Sequence, residues 1–442
     1  MYGFSLARFR PLIAAIGAAI CLPGIAASAA PTIQPLRSEP LSLSSSPPNA
    51  PLFSLIPAED SGLSVVNRYD DPEMWGRRYP EFSGGAVGTG LAVGDFDNDG
   101  LPDLYVVNKT GPNQLYRQKV PFVFEDITAA AGVAGGKGWG TGATFADVDG
   151  DGWLDLFVCK LNAANLYYHN NHDGTFTERA AAAVVAVVAG SVLGAFDDYD
   201  RDGHLDLFLL TNLGDAARAP AGDADRLFHN IGDGTFTDVT ATAGIVSAPD
   251  RGHSVTWWDA DNDGWPDLYI ANDFEAPDHL YRNNRDGTFT DVAATALPHL
   301  PWFAMGADFG DIDNDGHFDL FVADMAATTH LKRQTFALAQ GPAAEAMARQ
   351  SPSQHSLNAP YRNTGQGSFP EIAQLAGVDR TDWTWSPVFG DFDNDGWQDL
   401  FVTNGMVRDL ANLDLIARLR RADSPAQAVA LVRRSPALQE EN

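Results

Sequence analysis

The chain has 442 residues, 45% of them hydrophobic, enough for a sizeable core, and a formal net charge of −29. That acidic excess argues against nucleic acid as a partner, because surfaces that bind phosphate backbones are basic. There are two cysteines, Cys21 and Cys159. Once the leader that carries Cys21 is removed, no intramolecular disulfide can form.

Arg8 and Arg10 precede the apolar run "PLIAAIGAAICLPGIAASAA", and Ala27, Ser28 and Ala29 supply the small residues of an export cleavage site. Residues 1–29 therefore predict a signal peptide and a secreted or periplasmic protein. Pro11, Pro23 and several glycines interrupt the run, which disfavours a membrane anchor. Residues 30–51, rich in proline and serine, predict a disordered linker. Cys159, inside "LFVCK", reads as a buried and inert thiol.

From Asp95 the chain reads "DFDNDGLPDL", and the pattern returns as "DVDGDGWLDL", "DYDRDGHLDL", "DADNDGWPDL", "DIDNDGHFDL" and "DFDNDGWQDL". Positions 1, 3, 5 and 9 are aspartate in all six copies. They are Asp95, Asp97, Asp99 and Asp103; Asp147, Asp149, Asp151 and Asp155; Asp198, Asp200, Asp202 and Asp206. The later copies hold Asp259, Asp261, Asp263 and Asp267; Asp311, Asp313, Asp315 and Asp319; Asp391, Asp393, Asp395 and Asp399. Like charges this close call for a shared cation, and alternating carboxylates with a turn glycine at position 6 resemble half of an EF-hand loop. Position 12 is aliphatic throughout and the loop runs into a β-branched stretch, so each copy is a calcium loop set in a β-hairpin rather than an EF-hand. Position 7 is Leu101, Trp153, His204, Trp265, His317 or Trp397, whose common donor is the main-chain carbonyl. His204 and His317 are therefore not read as imidazole ligands, and the hard oxygen donors favour Ca²⁺ over Zn²⁺. These aspartates account for 24 of the 58 acidic residues.

Around each loop lies the same frame. A strand leads in ("GTGLAVGD", "SVTWWD"), a strand leads out ("DLYVVN", "DLFVCK"), a third follows ("NLYYHN", "HLYRN"), and a fourth comes after an Asp-Gly-Thr turn ("GTFTDVT"). Four antiparallel strands in about fifty residues predict an all-β chain forming a β-propeller of four-stranded blades. The units resemble FG-GAP/VCBS repeats, as in the integrin α head, and "TDWTWSPVFGDFDNDGWQDLFVTNG" is similar to the ASPIC/UnbV secreted family. The resemblance covers residues 52–410 and implies a calcium-bearing propeller, usually of seven blades, with roles in adhesion or extracellular binding. It implies no enzymatic activity.

Only six motifs are present, and residues 406–442 read as helix, without third and fourth strands for the sixth unit. The segment 52–63, "LFSLIPAEDSGL", reads as a fourth strand and its connection, able to complete the last blade of a propeller spanning 52–405. One strand would still be missing, so the expectation is either a truncated reading frame or a partner chain that closes the propeller. Residues 180–189 predict a buried strand edge, and residues 325–350 predict helices.

Antiparallel order places the calcium loops and the Asp-Gly-Thr turns on one face. The long insertions and the inter-blade connections fall on the other, with Trp139, His253, Trp302, Phe303, Trp383 and Trp385. Aromatic platforms beside polar groups suit an extracellular protein or glycan. The leading expectation is a non-enzymatic binding or adhesion module. A polysaccharide lyase or dehydratase, with His253, His279 or His330 as base, is the alternative, and a structural domain serving a neighbouring subunit is a third. No nucleophile–base motif is present.

Overall fold

The computed structural model describes residues 53–65, 90–109, 111–212, 222–246, 248–274, 276–336, 342–405 and 412–424, with scattered positions to 434. The leader, the linker 30–51 and much of 406–442 lie outside the described residues, as does 213–221 of the insertion after Thr211. The described part is mostly β and built from repeats, each centred on one Asp loop.

The β-branched and aromatic runs form the expected strands. In repeat one, Leu91–Gly94, Asp103–Val106, Gln114–Val120 and Val123–Asp126 make a four-stranded antiparallel sheet in sequence order. Repeat four is alike, with Gly252–Trp258, Asp267–Asn272, His279–Asn283 and Phe289–Asp291. Repeat two (Trp139–Ala146, Asp155–Ala164, Leu166–Asn170, Phe176–Glu178) and repeat three (Val188–Asp197, Asp206–Thr211, Arg226–Asn230, Phe236–Asp238) share one larger sheet. They join where Leu161, Ala163 and Ala164 pair with Gly190, Ala189 and Val188.

Repeat five has Ala304–Gly310, Asp319–Ala326 and Ala359–Tyr361, with an isolated Tyr361–Glu371 bridge where the fourth strand is expected. Repeat six is the hairpin Asp382–Gly390 with Asp399–Asn404, tied to repeat five through Met325–Trp383 and Ala326–Asp382. The expected helices of the long insertion are His330–Thr335 and Pro342–Met347, and Leu413–Leu419 follows the last hairpin.

The second strands are the most enclosed elements. Asp206–Thr211, Asp267–Asn272 and Asp319–Ala326 are buried at every position, because apolar layers from neighbouring repeats cover both sides. Ala92, Phe96 and Tyr105 of repeat one pack with Leu156, Val158 and Phe176 of repeat two. Phe208 and Leu227 of repeat three pack with Trp257, Ile270 and Phe289 of repeat four. Each such aromatic contributes about 1.5–3 kcal/mol through the apolar surface it removes from water. Cys159 sits in the layer between repeats two and three, and burial raises its thiol pKa, as expected of an inert cysteine.

Two local expectations are corrected. Residues 53–63 contain no strand. Pro57 lacks an N–H for a ladder, Ala58–Ser61 forms one helical turn, and Gly62 closes it at φ 76°. This segment nonetheless spans two repeats. The Phe53 ring lies 5.6 Å from Phe392 and 5.5 Å from Phe401 of the sixth hairpin, while Ser64 Oγ lies 3.5 Å from the Tyr116 hydroxyl of repeat one. The apolar run 180–189 is a turn to Val184, and strand begins only at Val188.

Among the described residues, no helix is long and apolar enough to cross a membrane.

Candidate metal centre

The six loops share one geometry. In loop one, Asp95 accepts hydrogen bonds from the amides of Asp99 (3.0 Å) and Gly100 (2.8 Å), and Asp99 accepts from Leu101 N at 2.9 Å. Asp147, Asp198, Asp259, Asp311 and Asp391 accept the same pair of amides in their loops. The position-5 aspartates Asp151, Asp202, Asp263, Asp315 and Asp395 likewise hold the amide of position 7. The glycine at position 6, at φ 87° in Gly100, turns the chain back.

The position-9 aspartate has a second task. Asp267 accepts from Ala260 N (3.0 Å) and Asn283 N (2.7 Å), so it pins the third strand to its own loop. Asp103, Asp206, Asp319 and, through Asn170 N, Asp155 hold the third strand in the same way. These carboxyls are almost fully buried. Burial, reinforced by the neighbouring aspartates, pushes Asp103 and Asp267 to about 7, Asp206 to about 8 and Asp319 to about 6.

The position-3 oxygens Asp97 Oδ1, Asp261 Oδ1 and Asp313 Oδ1 are shielded from solvent and accept no hydrogen bond. An aspartate with a stranded buried oxygen among other carboxylates fits an oxygen-seeking cation.

The loops lie side by side on one face. Asn98 Nδ2 bonds Gly152 O (3.0 Å), Asn262 Nδ2 bonds Gly316 O (3.3 Å) and Asn314 Nδ2 bonds Gly396 O (3.1 Å), while the Arg201 guanidinium covers Trp265. The turns between third and fourth strands join them. His172 stacks on Trp153, Arg285 Nε bonds Asp263 (2.7 Å), and the rings of His204 and His317 lie against Gly232 and Gly365. His204 and His317 thus face these turns.

One set of structural residues went unread in the sequence. Asn170, Asn230 and Asn283 end the third strands, Asn363 follows that of repeat five by two residues, and each donates to the position-2 carbonyl of the preceding repeat: Phe96, Val148, Tyr199 and Ala260 respectively. Their recurrence in "YHN", "FHN" and "YRN" was the available signal.

At the far ends of the first strands, the structure brings His253, Trp302, Trp383 and Trp385 together. Trp302 stacks on Phe303 at 4.6 Å, Phe336 meets Trp383 at 5.9 Å, and His253 meets Trp385 at 5.9 Å. Trp302 is only 6% exposed and belongs to the core, whereas Trp383 and Trp385 are half-buried. Trp139 begins its own strand opposite Leu161, outside this cluster. The indole nitrogens of Trp302 and Trp383 and His253 Nε2 are shielded and lack hydrogen-bond partners, Asp273 lying 3.5 Å from the imidazole. His279 is held elsewhere, 2.7 Å from Asp291 and 3.8 Å from Asp250. Burial disfavours its charge, but these two carboxylates outweigh that and raise it to about 9, which suits an ion pair rather than a base at neutral pH. His330 begins an exposed helix.

Asp324 lies beneath the aromatic cluster, fully buried, accepting from Trp302 N (2.9 Å), Phe303 N (2.8 Å) and Ser356 Oγ (3.0 Å). Burial outweighs these bonds and raises its carboxyl from 3.8 to about 8. The folded state therefore holds a proton that the unfolded chain releases, and stability falls as pH rises from about 4 to about 8. With saturating calcium, denaturant titrations across that window should show this slope, and Asp324→Asn should flatten it. An unchanged slope would assign the effect to other groups.

The FG-GAP-like repeat matches residues 95–158, 147–209, 198–270, 259–322 and 348–402. Among curated proteins, cartilage acidic protein 1 of Xenopus tropicalis is 31% identical over 42% of this chain and 29% of its own length. Cartilage acidic protein 1 of Homo sapiens is 22% identical over 80% of this chain and 54% of its own. The chain thus spans about half or less of the length of these relatives. Similar solved structures include an Agrocybe aegerita lectin that recognises non-reducing terminal N-acetylglucosamine (17% identical, 72% of this chain and 71% of that one, TM-score 0.39). The V. cholerae biofilm matrix protein Bap1 is 13% identical over 73% of this chain and 53% of its own, with a TM-score of 0.34. With the repeat matching well over half of its residues, the chain belongs to the FG-GAP-like repeat family and is related to cartilage acidic protein 1.

Proposed function

We propose that the protein is a secreted, calcium-stabilised propeller that binds an extracellular protein or glycan without catalysing a reaction. The calcium part rests on the hydrogen-bond pattern shared by all six loops and on the stranded carboxylate oxygens of Asp97, Asp261 and Asp313 in loops one, four and five. Three aspartates, the position-7 carbonyl and the position-9 aspartate would hold each ion, with water completing the shell.

The binding part is carried by one observation. Aromatic side chains converge at His253, Trp302, Trp383 and Trp385, across the length of the first strand from the loops, and the indole nitrogens of Trp302 and Trp383 there have no hydrogen-bond partner. A seven-residue strand such as Gly252–Trp258 spans about 23 Å, so ligand and metal faces are separate. Hydrogen-bond donors framed by aromatic surface suit sugar hydroxyls or the carbonyls of a protein loop. Because Trp302 also fills core, Trp385→Ala is the cleaner variant. It should abolish binding on a glycan array or in a pull-down of co-secreted proteins while calcium stoichiometry and folding persist. Undiminished binding would place the ligand elsewhere.

The sixth hairpin supports a partner chain. Phe401 is 37% exposed in a second strand, where the second strands of repeats three to five are buried throughout, and Val388 beside it is 43% exposed. Phe53, 57% exposed, covers only part of this surface. Size-exclusion with light scattering should therefore report association, and Phe401→Ser should weaken it. A protease-resistant monomer would show that this chain closes unaided.

A further inference from the structure

The six loops differ in one side chain that the Asp pattern does not contain. The residue before the third-strand asparagine is His169 in repeat two and His229 in repeat three, but Arg282 and Arg362 in repeats four and five. Repeat one has Arg117, next to Gln118. In repeats one and five this position faces the loop. Arg117 Nη1 lies 3.7 Å from Asp97, and Arg362 Nε lies 2.5 Å from Asp313 with Nη2 3.3 Å from Asp315. A guanidinium there is a fixed positive charge with no lone pair to give.

An imidazole does have one. His169 Nδ1 lies 3.2 Å from Asp149 and 3.3 Å from Asp155, and it is shielded from solvent without a hydrogen-bond partner. His229 Nδ1 lies 3.2 Å from Asp200 and 3.1 Å from Asp206. In each group the three possible ligand atoms fall within 4.8 Å of one another. Repeat two adds a second imidazole, His172 Nε2, 2.6 Å from Asp151. Tyr167 donates its hydroxyl to Asp155 at 2.8 Å and so orients that carboxylate, as an outer-shell partner does.

We propose that loops two and three are mixed nitrogen–oxygen sites. They would take a borderline first-row transition ion of the Zn²⁺ class through Asp149, Asp155 and His169, and through Asp200, Asp206 and His229. A nitrogen donor raises affinity for such ions and adds little for Ca²⁺, whereas the arginine-faced loops remain oxygen-only. The inference rests on the reading that the Asp loops hold cations.

The test uses the full secreted chain, stripped with chelator and equilibrated with Zn²⁺ in millimolar Ca²⁺. After gel filtration, metal analysis should find two equivalents of zinc beside calcium, and the double variant His169→Gln/His229→Gln should lose both while keeping its calcium. Circular dichroism of the variant in calcium checks that it folds. Zinc that calcium displaces from the wild type, or zinc retained in the variant, overturns the inference. Failure of the wild type to bind calcium in a separate titration would instead overturn the underlying reading of the loops.

Discussion

Removal of calcium should lower the melting temperature on the order of 10 °C. In a zinc-free sample with free calcium about tenfold above the dissociation constant, each filled loop adds roughly 1.4 kcal/mol, and six add about 8 kcal/mol. That is comparable with the whole stability of a typical domain. Emptying the loops also leaves carboxylates such as Asp95, Asp97 and Asp99 facing one another, and their position-9 partner is buried. Because position 9 also pins the third strand, the loss should spread from the loop into the sheet. Calorimetry in calcium and in EDTA measures this, and an unchanged transition would remove calcium from the structural account.

Asn283→Ala should destabilise the protein by about 2–4 kcal/mol without touching any loop carboxylate. The Asn283 amide donates to Tyr199 O at 2.8 Å and Pro266 O at 3.0 Å, and its oxygen accepts from Arg285 N at 2.8 Å. Truncation strands buried backbone groups on two repeats at once, and each stranded group costs about 1–3 kcal/mol. The neighbouring Asn284 is exposed and bonds only within its own turn, to Thr288 and Thr290. Asn284→Ala should therefore cost about 0.5 kcal/mol or less. Denaturant unfolding of the two variants gives the comparison, and equal losses would show that the asparagine does not tie the repeats together.

The sequence alone determined the parts whose causes are local. Aspartates at fixed offsets from a glycine fold into the same loop wherever they occur, because the side chains bond amides two to five residues away. Short aliphatic and aromatic runs such as "RLFHN" mark strands locally too, and the strand–loop–strand order already assigns loops and Asp-Gly-Thr turns to one side.

Other features depend on residues distant in the chain. Asn283 reaches back to Tyr199, Trp302 is withdrawn into core by Phe303 and Phe336, and Asp324 acquires its proton from complete burial. Residues 53–63 resembled a strand by composition, but Pro57 and Gly62 gave a helical turn, and only tertiary contact placed Phe53 against Phe401. His169 and His229 read as ordinary strand residues until folding set them beside aspartates 14 to 29 residues earlier. Side chains that meet across loops and repeats leave no fixed spacing in the sequence, so tertiary structure alone decided which of them share a site.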